Sequence, residues 1–289
     1  MKRVDNRSNL DIDEMLKNSV KRRLLDRNKI IEEILQRDVE YRHGVKAIKV
    51  SDIAQQYFCE AKVENKYIRG EIETEEKKEG KEIHELMLTA EEEELELEKL
   101  AEEIATNPWK EVVGLLLISK IDGCYVIGEP DLVVFSYGEP EFIIEIKTTS
   151  RCLRIWNNEV VQARMYGLLL HSMRFDTKGL TLIVVKIRRG VDRDLLNEIQ
   201  QRIFKHVNDL IYTLKSEEDI KKEDDLYGEV YSFRMYPFDL QKAYDEFKWA
   251  KDYWLNKRKE PKPTTKSNKC KSCEYRDVCK YSLTKNLNT

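Results

Sequence analysis

The sequence predicts an α/β fold, a mixed central sheet flanked by helices, and three observations carry that expectation. Between residues 112 and 147 four short apolar runs follow one another, the later ones separated by Gly123, Gly128 and the turn Tyr137-Gly138-Glu139-Pro140. A helix-spaced stretch, Asn157 to His171, and a β-branched run, Leu180 to Ile187, then complete a strand–helix–strand unit. Such a crossover is right-handed and makes its two strands parallel, so a sheet that also holds hairpins is mixed. Apolar residues at helical spacing elsewhere supply the covering layer.

Taken in order, residues 8–37 read as an N-terminal helix, with Leu16, Val20, Leu24, Ile31 and Leu35 on its apolar side. Ser51 is placed to cap a short helix through Gln56, while residues 62–80 are polar and ambiguous. Glu79 to Ala105 reads as a helix stopped by Pro108. Strands follow at 112–121, 123–128, 131–136 and 141–147. Beyond the crossover come a helix over Asp192–Leu214, a strand over 228–236, and a last helix that Asp239 caps and that runs to about Lys259. Its Tyr244, Phe247, Trp249, Tyr253 and Trp254 read as packing residues. The organisation expected is a helical extension over 1–45, a core over 46–260 and a cysteine segment over 261–289.

Hydrophobic residues make up 41% and charged residues 36% of the 289, which suits a soluble globular chain. No run approaches the ~18–20 apolar residues of a membrane span. The start, Met1-Lys2-Arg3-Val4-Asp5, lacks the apolar core of a secretion signal, so a cytoplasmic place is expected. The net charge of −3 conceals an acidic stretch over 71–103 and basic groups at Lys147, Arg151 and Arg154, at Lys186, Arg188, Arg189 and Arg193, and over 257–271. Taken singly, each basic group reads as a solvated surface, although local potential, not net charge, governs an encounter with nucleic acid.

The stretch from Gly128-Glu129-Pro130-Asp131 to Glu145-Ile146-Lys147 carries the chemistry. In a strand Phe142, Ile144 and Ile146 point one way, and Ile143, Glu145 and Lys147 the other. A carboxylate and an ammonium then share a face, ~6.5–7 Å apart along the strand. An antiparallel neighbour starting at Asp131 brings a second carboxylate within reach of one shared ion. Two carboxylates and a lysine suit Mg²⁺- or Mn²⁺-assisted phosphodiester hydrolysis, because hard oxygen ligands hold the ion and the lysine acts on water or phosphate. The competing reading of the pair alone is two solvent-facing charges on a half-exposed strand. His84, alone on a glutamate-rich helix, reads as a surface residue or as the completion of a carboxylate metal site. On the helix after the strand, Gln162 and Tyr166 are four apart and share a face.

Of six cysteines, Cys270, Cys273 and Cys279 form C-x2-C-x5-C in a lysine-rich segment. Metal ligation explains that spacing better than disulfides in a cytoplasmic chain. Cys59, which also follows a short polar helix, is the best fourth ligand. Four thiolates hold zinc or an iron–sulfur cluster, and thiolate chemistry alone puts zinc slightly ahead. Cys124 and Cys152, within or beside strands, are expected as buried free thiols.

Together these motifs resemble the PD-(D/E)xK nucleases of the RecB type, and more closely the iron–sulfur CRISPR-associated exonucleases of the Cas-four family. Gly80-Lys81-Glu82-Ile83-His84 resembles the family's GxxxH-like motif, and Gly128-Glu129-Pro130-Asp131 its G-x-x-D motif. Glu145-Ile146-Lys147 matches E-x-K, Gln162 to Tyr166 matches Q-x-x-x-Y, and the early and late cysteines bracket them. The resemblance spans about residues 50–281. It implies a restriction-endonuclease-like core. His84, Asp131, Glu145 and the backbone carbonyl of Ile146 would bind Mn²⁺ or Mg²⁺. Lys147 would assist the attacking water, and Gln162 and Tyr166 would support the site or the DNA. It also implies a 4Fe–4S cluster on Cys59, Cys270, Cys273 and Cys279, displacing zinc to the lesser alternative.

The implied activity is exonucleolytic cutting of DNA, mainly single-stranded and often 5′ to 3′, sometimes endonucleolytic, on spacer precursors in CRISPR adaptation. The implied partners are DNA and the spacer integrase, with no membrane and with room for a homo-oligomer. Residues 1–45 and the acidic helix near 91–103 make the chain longer than compact relatives. A nuclease of DNA repair or of a mobile element, or a non-catalytic DNA-binding scaffold, are the alternative readings.

Overall fold

The computed structural model describes residues 6–38, 40–73, 97–150, 152–213, 226–227 and 230–284. Helix α1 (Asn6–Leu35) leads through a 3-10 turn at Arg42–Gly44 into a short strand β1 (Ile48–Lys49) and helix α2 (Val50–Arg69). Helix α3 (Leu97–Thr106) precedes five strands, β2 (Lys110–Val113), β3 (Leu117–Ile121), β4 (Cys124–Gly128), β5 (Leu132–Ser136) and β6 (Glu139–Thr149). Helix α4 (Asn157–Ser172), strand β7 (Thr181–Arg188), helix α5 (Arg193–Thr213), strands β8 (Leu226–Tyr227) and β9 (Tyr231–Pro237), and helices α6 (Leu240–Trp254) and α7 (Ser267–Lys271) complete the described chain. No helix among the described residues is long and apolar enough to cross a membrane.

The large sheet has the order β2-β5-β6-β7-β9-β8, and β1-β4-β3 form a smaller one. The expected parallel pair is present: β6 and β7 run parallel, joined through α4, and every other pairing in the large sheet is antiparallel. The two faces of β6 divide as the period-2 pattern predicts. Ile144 and Ile146 pack with Ile183, Val185 and α5, whereas Ile143 joins the core under the other helices. Helix α4 lies between the sheets, against β6 and β7 on one side and β3 and β4 on the other. That position explains a helix buried nearly all round, Glu159 and Arg164 included. Leu168, Leu169 and Leu170 are each fully buried, contributing about 1.5–3 kcal/mol apiece.

Three expectations change. The strand expected over 112–121 is two strands in different sheets, because the chain turns at Gly114 with φ +60°. Only glycine takes that conformation without strain, and the turn lets Gly114 N donate to Asp131 O at 3.4 Å. The short helix through Gln56 instead continues to Arg69, interrupted only by Cys59 in extended backbone. Its N-cap is Lys49, not Ser51, and the cap carries no side-chain hydrogen bond. The last helix does begin at the expected Asp239 cap, whose carboxylate accepts from Lys242 N at 2.9 Å, but it stops at Trp254. Of the helix expected over Glu79–Ala105, residues up to 96 lie outside the described ones, His84 among them. Helix α1 buries Val20 and Leu24 in the main core.

Candidate active site and cysteine pocket

Strands β5 and β6 bring Asp131 and Glu145 side by side. The ladder pairs Leu132 with Ile144; one more step of that antiparallel register sets Asp131 opposite Glu145. Beyond the last β5 pair, the Ile146 amide takes a side-chain acceptor instead: Asp131 Oδ2 accepts from Ile146 N at 2.6 Å. That bond fixes the Asp131 carboxylate against the β6 backbone.

Glu145 is fully buried, so the reading of two solvent-facing charges fails for it. A buried carboxylate needs a partner, and Lys147 Nζ, on the same face and about a quarter exposed, forms an ion pair with Glu145 Oε1. Burial pulls the Lys147 ammonium toward neutrality, but Glu145, Asp131 and Glu159 outweigh it and hold its pKa above the ordinary lysine value. Lys147 is therefore cationic at neutral pH.

Helix α4 supplies the other two residues. Gln162 Nε2 donates to the Tyr166 hydroxyl at 3.1 Å. Tyr166 is 3% exposed, and burial together with the nearby Glu145 raises its phenol well above the ordinary range, so it stays neutral. The ring explains Gly128. A Cβ there would meet Tyr166 Cε1 at 2.6 Å and Val50 Cγ2 at 2.8 Å, too close for any side chain. The glycine that opens Gly128-Glu129-Pro130-Asp131 is thus a packing requirement of Tyr166. Gln162, Tyr166, Asp131, Glu145 and Lys147 gather around the end of β6 nearest α4.

Lys186 is the residue that sequence reasoning misplaced. It was expected in a solvated basic cluster but is 3% exposed. Its register partner across the parallel pair is Lys147, so the two ammonium groups share a face. Lys186 Nζ donates to Glu159 Oε1 at 2.6 Å and to Arg154 O at 3.0 Å. Glu159 in turn accepts from Trp156 N through Oε2 at 2.6 Å, closing the first turn of α4. The available signal was a single lysine inside the apolar run Leu182-Ile183-Val184-Val185-Lys186-Ile187. A strand covered on both faces admits a charge only with a buried partner.

The donor set at Asp131 and Glu145 is two carboxylates with hard oxygens, which fits Mg²⁺ or Mn²⁺. Among the described residues no three His, Cys, Asp or Glu side chains are grouped to hold a metal ion. The third side-chain ligand expected here, His84, lies outside the described residues.

The second candidate site joins opposite ends of the chain. Cys59, Cys270, Cys273 and Cys279 line one pocket, with Phe58 and Tyr281. Two features bring them there. The extended backbone of Cys59 breaks α2, and the carbonyls freed at the break, those of Tyr57 and Phe58, accept from Lys269 Nζ at 3.2 and 2.9 Å. Next to it Glu60, fully buried, clasps the C-terminal segment. Its Oε1 accepts from Gln56 Nε2 at 2.9 Å and from Arg258 Nη2, and its Oε2 accepts from Lys262 N at 2.7 Å. Thr264 N donates to Cys59 Sγ at 3.3 Å.

Burial pushes the Cys273 thiol up, so loading it as a thiolate releases a proton. Sulfur donors are the ligand type of zinc and of iron–sulfur clusters, but these described thiols line the pocket without being grouped closely enough to hold a metal ion. Cys124 is buried as expected, but Cys152 is exposed, because β6 ends at Thr149 and the chain leaves the sheet before it.

The chain is similar to a solved structure described as "Crystal structure of SSO0001", at 15% identity over 94% of this chain and 98% of that chain, with a TM-score of 0.40. No curated protein matches it. The model of the PD-(D/E)XK nuclease superfamily matches residues 21–280. That span takes in Asp131, Glu145, Lys147 and all four pocket cysteines, and the chain belongs to the PD-(D/E)XK nuclease superfamily.

Proposed function

We propose that this chain is a metal-dependent deoxyribonuclease that cuts single-stranded DNA from an end, 5′ to 3′, on spacer precursors in CRISPR adaptation. The observation that carries the nuclease reading is the buried Glu145 with Asp131 and the cationic Lys147 beside it. Asp131, Glu145 and the Ile146 carbonyl, with His84, would hold Mg²⁺ or Mn²⁺. When bound there, a divalent ion would supply polarisation of the phosphate and a lowered pKa of a bound water. Asp131 is oriented by the Ile146 amide, so little reorganisation is needed when it acts as a ligand. Lys147, held protonated, donates to the attacking water or to the charge growing on the phosphate. Tyr166, held neutral and fastened by Gln162, closes the site on the α4 side and supports the DNA.

The CRISPR assignment rests on the resemblance of the ordered motifs bracketed by cysteines, and it makes the spacer integrase the expected partner. The four pocket cysteines are suited to a 4Fe–4S cluster. When bound, the cluster would act as a structural crosslink between α2 and the C-terminal segment.

The test is purification without oxygen, an absorption spectrum and iron assay, and cutting of end-labelled single-stranded DNA with Mn²⁺ by wild type and Lys147→Ala. A brown protein that shortens DNA from its 5′ end, with the variant silent, is the expected result. A colourless protein that binds DNA and never cuts it in any divalent metal would favour a scaffold instead. Co-purification with the spacer integrase checks the CRISPR setting.

A further inference from the structure

The link from β6 to α4, Leu153–Trp156, is fastened more firmly than a strand-to-helix connection requires. Ser232 Oγ donates to Leu153 O, Lys186 Nζ donates to Arg154 O at 3.0 Å, and Glu159 Oε2 accepts from Trp156 N at 2.6 Å. The side chain this fastening presents is Arg154. It is exposed, and its guanidinium carbon lies 5.3 Å from the centroid of the half-buried Trp156 ring. Lys186 Nζ lies 5.9 Å from the same ring. Among the described residues no carboxylate forms an ion pair with Arg154. A guanidinium resting on an indole is held in place with its planar fork of donors still open, an arrangement that suits bidentate contact with phosphate.

Its place in the fold decides what phosphate it would meet. Lys147 and Lys186 are register partners on neighbouring parallel strands, ~4.8 Å apart across the ladder. Lys186 Nζ in turn holds the Arg154 backbone carbonyl. The fork therefore belongs to the link that Lys186, the register partner of Lys147, fastens, and it shares the Trp156 ring with Lys186 Nζ. A neighbouring phosphate of the same strand of nucleic acid is the partner that suits an open fork on this link, the Lys147 centre having its own.

We propose that Arg154, steadied by Trp156, clamps a phosphate adjacent to the one hydrolysed, as a substrate-positioning residue. The inference rests on the nuclease reading above, and the Lys186–Glu159 pair is the fastening that steadies the link carrying the clamp.

The test uses the full-length protein and a labelled oligothymidylate, with binding followed by fluorescence anisotropy in chelator across a salt series. Arg154→Gln is expected to weaken binding and to flatten the slope of log K against log salt by about 0.7, the share of one phosphate on a single strand. In cutting assays the loss should fall on KM more than on kcat. Arg154→Lys should restore the salt slope but not the full affinity, since the point charge keeps the phosphate and loses the fork. Trp156→Ala should weaken binding with the slope kept. An unchanged slope and KM in Arg154→Gln, with wild type binding and cutting, would overturn the clamp. So would a lowered thermal midpoint with an unchanged slope, which makes the residue structural. If wild type binds with an Arg154-dependent slope but no divalent metal supports cutting, the nuclease reading fails and with it the positioning role, leaving Arg154 as a phosphate contact of a binding protein.

Discussion

The carboxylate–lysine site and the cysteine pocket are built by opposite means. Asp131, Glu145, Lys147, Gln162 and Tyr166 come from one run of chain, and strand register alone sets the first three: a ladder that pairs Leu132 with Ile144 leaves little choice about where Asp131 and Glu145 stand. The pocket joins Cys59 to Cys270, Cys273 and Cys279 across most of the chain. No ladder enforces that meeting. It depends on side-chain clasps: the buried Glu60, whose partners Arg258 and Lys262 lie on the far segment, and Lys269 on the carbonyls of Tyr57 and Phe58. A site made by register should tolerate distant damage, whereas a site made by a few clasps should not.

The sharpest way to break this comparison is Glu60→Ala. Removing one member of a buried charge pair costs about 3–5 kcal/mol. Urea unfolding should record that loss, and alkylation of Cys59 and Cys270 should quicken, while cutting of DNA survives in the fraction that remains folded. If cutting disappears as completely as the pocket loosens, the two sites are not independent. Next comes Lys147→Ala, which should lower the cutting rate about 10²–10³-fold, as loss of one charge-stabilising donor does. The pocket thiols should keep their wild-type reactivity in that variant.

Gly128→Ala sharpens the same point from inside the first site. The new methyl would press on Tyr166 and Val50, costing about 1–3 kcal/mol. Cutting should fall with stability, because the displaced ring is part of the site; a stable variant with normal kinetics would remove Tyr166 from it.

The smallest effect is expected at His43, which packs on the second half of α2. Its Nε2 lies 2.8 Å from the Tyr253 hydroxyl and 3.4 Å from Glu64 Oε2, and its ring stacks on Tyr67. Burial holds the imidazole below its ordinary value of 6.5, against the pull of Glu64 and Asp52 and with the push of Arg42. The unfolded chain then takes up the proton first, so stability is full above about pH 6.5 and declines as pH falls through the folded value. His43→Gln should flatten that decline in urea midpoints measured across the acid range. An unaltered pH profile would remove His43 from the account.

Much of the first site could be read from residue order, since alternation along Phe142–Lys147 and the turn at Gly128–Asp131 are local signals. The parallel β6–β7 pair followed from the chirality of a strand–helix–strand connection, and the Asp239 cap from side-chain chemistry. Lys186 could not be read so easily. One lysine in an apolar run looks like a surface charge until a helix brings Glu159 over it. Gly114 was hidden for a related reason: an apolar run on both sides of a glycine reads as one strand, and only the second sheet reveals the turn. The reach of α2 to Arg69 was also missed, because Tyr57, Tyr67 and their neighbours are recruited by α6 and by the 3-10 turn, not by a periodicity of their own.

By itself the sequence determined the α/β class, the parallel pairing of β6 with β7, the face on which Glu145 and Lys147 stand, and the four cysteines that line one pocket. These depend on period, turn chemistry and chirality, which are properties of short stretches of chain. Only the tertiary structure decided that Glu145 is buried, that Lys186 stands beside Lys147 with its own carboxylate, that Arg154 is left exposed on Trp156, and that Glu60 and Lys269 fasten α2 to the C-terminal segment. Each of those turns on which groups are withdrawn from water together, and desolvation is a property of the assembled layers that no short stretch carries.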